Sequence, residues 1–113
     1  MLNQSTCLDL AFQALGDRTR RDIVARLATG PLSVSELAKP LPMSLPAVLQ
    51  HLAVLETAGL VASEKAGRVR TCRLQAAAIA RAEQWLGAQR GEWERRLDRL
   101  GDYLQSVKPG DTP

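Results

Sequence analysis

Four long cations, Lys65, Arg68, Arg70 and Arg73, fall within nine residues of one another. Cations at this density neutralise phosphates or enter a minor groove, so the chemistry they suit is polyanion binding. On a hairpin edge the same charges also suppress strand pairing, a purely structural use. Upstream lies Gln50, whose amide can pair bidentately with adenine, and beside it His51, the single histidine. With no Cys, Asp or Glu cluster around it, His51 reads as a packing residue or a phosphate contact rather than a metal ligand or catalyst. Arg18, Arg20 and Arg21 form a second basic group, expected either to reach phosphate or to pair with Asp17 and Asp22. The two cysteines, Cys7 and Cys72, are too few and too far apart for a disulfide framework. There is no phosphate-binding glycine loop, no Cys/His cluster and no Ser-His-acid set, so neither an enzyme, a cofactor nor a metal site is expected.

The formal net charge of +3 is unevenly spread: residues 17–75 hold nine Lys/Arg against five Asp/Glu. A length of 113 residues suits one domain, taken as 1–108, with 109–113 expected to be a disordered tail. Aromatics make up only 4% of the chain, which implies a core of Leu, Val, Ile and Ala between helices. No apolar run approaches the roughly 18 residues of a membrane span, and no leader is evident, so a cytoplasmic protein without a membrane partner is expected.

These side chains need elements to hold them. Leu8, Ala11, Phe12 and Leu15 have helical spacing, which predicts a first helix over 5–15 ending at Gly16. Asp17 can cap a second helix with an Ile23, Val24, Leu27 and Ala28 stripe, stopped by Gly30-Pro31. Ser33 and Glu36 have capping-box spacing for a short helix over 34–39. Ser44 caps the next helix, 44–58, where Pro46 is tolerated in the first turn. The β-branched and apolar residues around Ala66-Gly67 predict a hairpin with strands near 60–65 and 68–74. From about 76 to 105 the chain returns to helix, with Ile79, Leu86, Trp93, Leu97, Leu100 and Leu104 at heptad-like spacing. Trp85 and Trp93 face roughly one side and are expected to be buried at a dimer seam. Glu92, Glu94 and Asp98 are expected to pair with Arg95, Arg96 and Arg99.

The fold class is therefore mainly α with a small β-hairpin. The order matches a winged helix-turn-helix, whose second helix enters the major groove. With Val48, Leu52 and Leu55 facing the core, Pro46, Gln50 and Ala53 project outward. Ser44, Leu45, Pro46, Leu49, Gln50 and His51 are the candidate contacts on that helix, and Lys65, Arg68 and Arg70 those on the wing. Leu49 lies at the edge of the buried stripe; packing is expected of it, and touching a thymine methyl is the alternative.

These residues resemble the ArsR-type family of winged-helix repressors over about 10–105. FQALGDRTRRDIVARL is similar to the family's opening motif. LSVSELAKPLPMSLPAVLQHLAVLETAGLV is similar to its helix-turn-helix, and GRVRTCRL to its wing. The resemblance implies a homodimer whose first and last helices form the interface, here through Leu8, Phe12, Leu86, Trp93, Leu97, Leu100 and Leu104. It also implies double-stranded DNA as the partner, read as an inverted-repeat operator. Many members have serine where this chain has Leu49. The cysteine pair of metal-sensing members is absent from Glu36-Leu37-Ala38-Lys39, and 76–105 has no His or Cys. The sequence names no effector. Two alternatives remain beside this reading: a thiol-responsive DNA-binding sensor using Cys7 and Cys72, and a winged-helix protein-interaction module without DNA binding.

Overall fold

Polar side chains set the start of each of the first four helices. In the computed structural model, which describes residues 3–107, Asn3 caps α1 (Gln4–Leu15) and Asp17 caps α2 (Arg18–Leu27). Ser33 caps α3 (Val34–Ala38) and Ser44 caps α4 (Leu45–Thr57). Each cap oxygen accepts from the backbone N–H three residues on, satisfying one of the donors that a helix start leaves open. Glu36 completes the reciprocal box by accepting from the Ser33 N–H at 3.0 Å. Those backbone bonds hold the carboxyls of Asp17 and Glu36 below their ordinary ranges.

The helix ends differ in kind. Gly59, at φ +75°, closes α4: its N–H donates to the Glu56 carbonyl and the Leu60 N–H to that of Leu55, both at 3.0 Å. This left-handed closure throws the chain straight into the sheet. Gly16 also ends α1, but in right-handed backbone at φ −73°, so it is a stop without the left-handed turn.

The sheet has three strands rather than the two expected. β1 (Leu32–Ser33), β2 (Val61–Ala66) and β3 (Val69–Leu74) lie in the order β1-β3-β2, all antiparallel. Pairing of Ala66 with Val69 leaves Gly67-Arg68 as a two-residue loop. Positive φ (+63°) at Gly67 and not at Arg68 matches a type II′ turn, whose twist suits a hairpin. β1 pairs Leu32 with Cys72 and Ser33 with Thr71, so it anchors the base of the wing beside the start of α3.

The core is apolar throughout. Ile23, Leu27, Leu37, Val48, Leu52, Leu55 and Leu60 meet Val61, Cys72 and Ala78, with Ile79 packed against them. No polar or charged residue among the described ones is buried. The final element, α5, runs from Ala76 to Ser106. The described residues divide into two compact units, one reaching to Ala82 and one beginning at Glu83. Within the second, Glu92 pairs with Arg95 at 3.0 Å and with Arg99 at 3.8 Å, while Glu94 pairs backward with Arg90 at 3.6 Å. Arg96 and Asp98, expected in that set, form no ion pair with any described residue. The Arg95 hydrogen bond holds the Glu92 carboxyl below its ordinary range. The expected tail, 109–113, lies outside the described residues.

Candidate nucleic-acid interface

Packing fixes which face of α4 is available. Val48, Leu52 and Leu55 are buried, which turns Pro46, Gln50 and Ala53 to the surface as the helical period requires. Leu45 and Leu49 are also exposed, by 52% and 38%. Leu49 therefore does not pack as expected; the wing stands off from it and leaves a cleft. Ser44 is exposed, and its hydroxyl accepts the Ala47 N–H at 3.4 Å. Gln50 also borders a shallow depression against α1, shared with Leu10, Gln13 and Val54.

The cleft between α4 and the wing has a volume of 540 Å3. Val34, Leu45, Leu49 and Val69 line it with apolar surface, and Lys65, Arg68 and Arg70 supply cations. These cations are not equivalent. Lys65 and Arg68 are exposed near the turn, with no hydrogen bond or ion pair to any described residue. Arg70 is engaged: its Nη2 reaches both Glu56 oxygens, at 2.7 and 3.0 Å, and its Nε donates to the Ser63 hydroxyl at 2.9 Å. Ser63 in turn donates to Glu56 Oε1 at 2.7 Å. A closed set of bonds thus joins α4, β2 and β3. Arg73 pairs with Glu64 across the two strands at 3.3 Å. Local sequence signals could not find the Arg70 contact, because its partner lies 14 positions away on another element.

The second basic group is also spent largely inside the chain. Arg20 donates through Nε to the Ala14 carbonyl at 2.7 Å and through Nη2 to that of Gln13 at 3.2 Å. Arg21 donates to the Leu15 carbonyl at 2.8 Å. The Ala14 and Leu15 carbonyls are ones that the end of α1 leaves open, while that of Gln13 also accepts the Gly16 N–H. Neither arginine takes the expected carboxylate partner through its guanidinium; Arg20 meets Asp17 through its backbone N–H. The remaining Arg20 nitrogen lies 3.3 Å from His51 Nδ1, and Asp17 Oδ2 is 3.9 Å from the same atom. Arginine has no acceptor, so a neutral His51 ring takes that bond at Nδ1 and carries its proton on Nε2. His51 thus ties α4 to the start of α2 from a half-buried position. Arg26, which the sequence reading did not single out, donates to the Leu37 and Glu36 carbonyls at 2.8 Å each and so ties α2 to the end of α3.

The thiols have different settings. Cys72 is buried in the core, and burial, then the Glu56 charge, push its thiol above its ordinary range. That weakens the thiol-sensor alternative at this position, because the reactive form is the thiolate. Cys7 is half-buried on α1. Among the described residues no group of three or more His, Cys, Asp and Glu is placed to hold a metal ion. No helix among them is long and apolar enough to cross a membrane.

The expected dimer residues form two sets. On α1, Leu8 is half-buried and Phe12 is 37% exposed. On α5, Leu86, Trp93, Leu97, Leu100 and Leu104 are all exposed, Trp93 by 59%, and Trp85 is exposed alongside them.

Comparison with known proteins agrees with this geometry. Residues 15–64 match a family model described as a helix-turn-helix domain. The chain is 57% identical over 72 residues to the HTH-type transcriptional regulator Rv2034 of Mycobacterium tuberculosis, covering 64% of this chain and 67% of that protein. Against the HTH-type transcriptional regulator NmtR of the same organism the identity is 43% over 57 residues, covering 50% of this chain and 48% of NmtR. Among solved structures, the ArsR family transcriptional regulator RHA00566 superposes with a TM-score of 0.78 at 44% identity, over 83% of this chain and 97% of that one. An ArsR-like transcriptional regulator from Rhodococcus sp. RHA1 gives 0.77 at 34% identity, over 90% and 96%.

Proposed function

Because the chain belongs to the ArsR family of winged helix-turn-helix transcriptional regulators, we propose that it acts as a repressor, binding an inverted-repeat operator as a homodimer. It is a DNA-binding regulator and not an enzyme. The observation that carries the proposal is the pairing of an exposed α4 face with Lys65 and Arg68 of the wing, which have no ion pair among the described residues. The helix has the width to enter a major groove, and the cations flank it where a phosphate backbone would run. Ser44, Leu45, Pro46, Leu49 and Gln50 are assigned to the groove. Lys65 and Arg68 are assigned to phosphate. His51 and Arg70 are assigned to positioning, given their bonds to Arg20 and Glu56.

The apolar stripe on α5 supports a second copy as the partner. Five large apolar side chains at spacings of 7, 4, 3 and 4 residues from Leu86 to Leu104 lie exposed in one chain. A stripe of exposed apolar side chains of this kind is what an interaction surface presents. A two-fold dimer would present two recognition helices to half-sites about 10 base pairs apart. Repression needs no further surface, since occupying the operator excludes polymerase.

The test is selection of duplexes from a random library by the purified protein, followed by sequencing and light scattering. Enrichment of an inverted repeat by a species of twice the chain mass is expected. A monomer at micromolar concentration, or enrichment of single half-sites, would overturn the assembly. Absence of any enrichment would overturn the operator.

A further inference from the structure

Building on α4 as the groove-reading helix, we propose that this protein recognises thymine through its C5-methyl groups, with Leu45 and Leu49 as the specificity-determining residues. The outward face of α4 is poor in hydrogen-bonding groups. Leu45, Pro46, Leu49 and Ala53 are apolar; among exposed side chains past the cap, only Gln50 and, at the last residue, Thr57 can bond to a base edge. In the major groove every base presents donors or acceptors, and the thymine methyl is the one apolar group on offer. A leucine placed against any other edge would strip water from polar atoms and return nothing. Apolar surface held at the reading face therefore selects for thymine.

The geometry sets a spacing. Leu45 and Leu49 are one turn apart on the edge of α4 that faces the wing, with Val69 across the cleft at 53% exposure. Four residues rise about 6 Å along a helix, close to two base-pair steps of about 3.4 Å. The two leucines thus meet methyl groups about two steps apart in each half-site. An apolar cleft can also take a small apolar ligand or another protein. Lys65 and Arg68, both without an ion pair to any described residue, rim this one and make a polyanion the fitting occupant.

The test removes the methyl and nothing else. Duplexes selected by the full chain are resynthesised with deoxyuridine in place of thymidine, first throughout and then one position at a time. Dissociation constants are read by fluorescence anisotropy at fixed salt. Complete replacement is expected to weaken binding at least tenfold, and single replacements about fourfold at one or two positions per half-site, the cost of one buried methyl. Leu45→Ala and Leu49→Ala should each abolish the thymidine–deoxyuridine difference at one of those positions. Both side chains are exposed, and unchanged melting curves will show that the variants fold. Equal binding of the two duplexes within twofold, with the selected sequence still preferred over unrelated DNA, would overturn methyl readout and leave the operator reading intact. Failure to bind any duplex would remove both.

Discussion

Replacing Arg70 by alanine separates two roles that the wing cations share on paper. In the structure its guanidinium is committed to Glu56 and Ser63, with side-chain exposures of 42% for Arg70 and 28% for Glu56. Exposed pairs contribute little, but a two-oxygen contact with a bridging hydroxyl belongs at the upper end, about 1 kcal/mol. Arg70→Ala should therefore lower the melting temperature by about 4 °C. It should also weaken operator binding, because the wing loses its tie to α4. It should leave the salt dependence unchanged, because no phosphate contact is lost. Arg68→Ala should do the reverse. Each phosphate contact contributes about 0.9 to the slope of log K against log salt, so a dimer losing two flattens by about 1.8. Between 50 and 200 mM salt that amounts to roughly a tenfold smaller loss of affinity than in the unaltered protein. The assay is anisotropy across that salt range with melting by circular dichroism. If Arg70→Ala flattens the slope as much as Arg68→Ala and leaves the melting temperature in place, Arg70 abandons Glu56 for the backbone and the positioning argument is wrong.

Trp93→Ala should weaken the dimer by at least about 2 kcal/mol, roughly thirtyfold, since a large exposed anchor is removed; sedimentation equilibrium reads this directly, and an unchanged constant would move the interface elsewhere. The Asp17 and Glu36 carboxyls are lowered in the folded chain, so the stability they contribute is fully present above about pH 4.5 and is lost as pH falls through their depressed values. Asp17→Asn keeps a good cap without the charge, and should therefore show less acid destabilisation in melts between pH 3 and 6. Buried Cys72, with its raised thiol, should resist a disulfide reagent at pH 8 until the chain unfolds, so that native protein titrates at most one thiol, at Cys7; two fast thiols would reopen the sensor alternative.

The elements were legible where their signals are local. Asp17, Ser33 with Glu36, and Ser44 with Pro46 each mark a helix start within four residues, and each sits where that spacing places it. Gly59 and Gly67 mark changes of direction for the same reason. β1 was not legible: two residues cannot show alternation, and Ser33 serves at once as strand residue and helix cap. The partners of the cations were hidden for a related reason. Arg70 bonds 14 positions back and Arg20 sits against a histidine 31 positions on, and neither separation leaves a periodic trace. Spacing alone showed a density of positive charge, and only the packed fold shows that Lys65 and Arg68, unlike Arg70 and Arg73, have no ion pair among the described residues.

The outward residues of α4 share almost nothing with the residues that hold the helix in place. Val48, Leu52 and Leu55 fasten it from beneath, and His51 and Glu56 tether its flanks, while Leu45, Pro46, Leu49, Gln50 and Ala53 carry no tertiary hydrogen bond to any described residue. Duplicated copies of such a gene can drift toward new operators one substitution at a time, each step close to neutral for folding. If α4 reads the groove as proposed, the same separation makes this helix a ready graft site: five positions would rewrite the address while the scaffold is left alone.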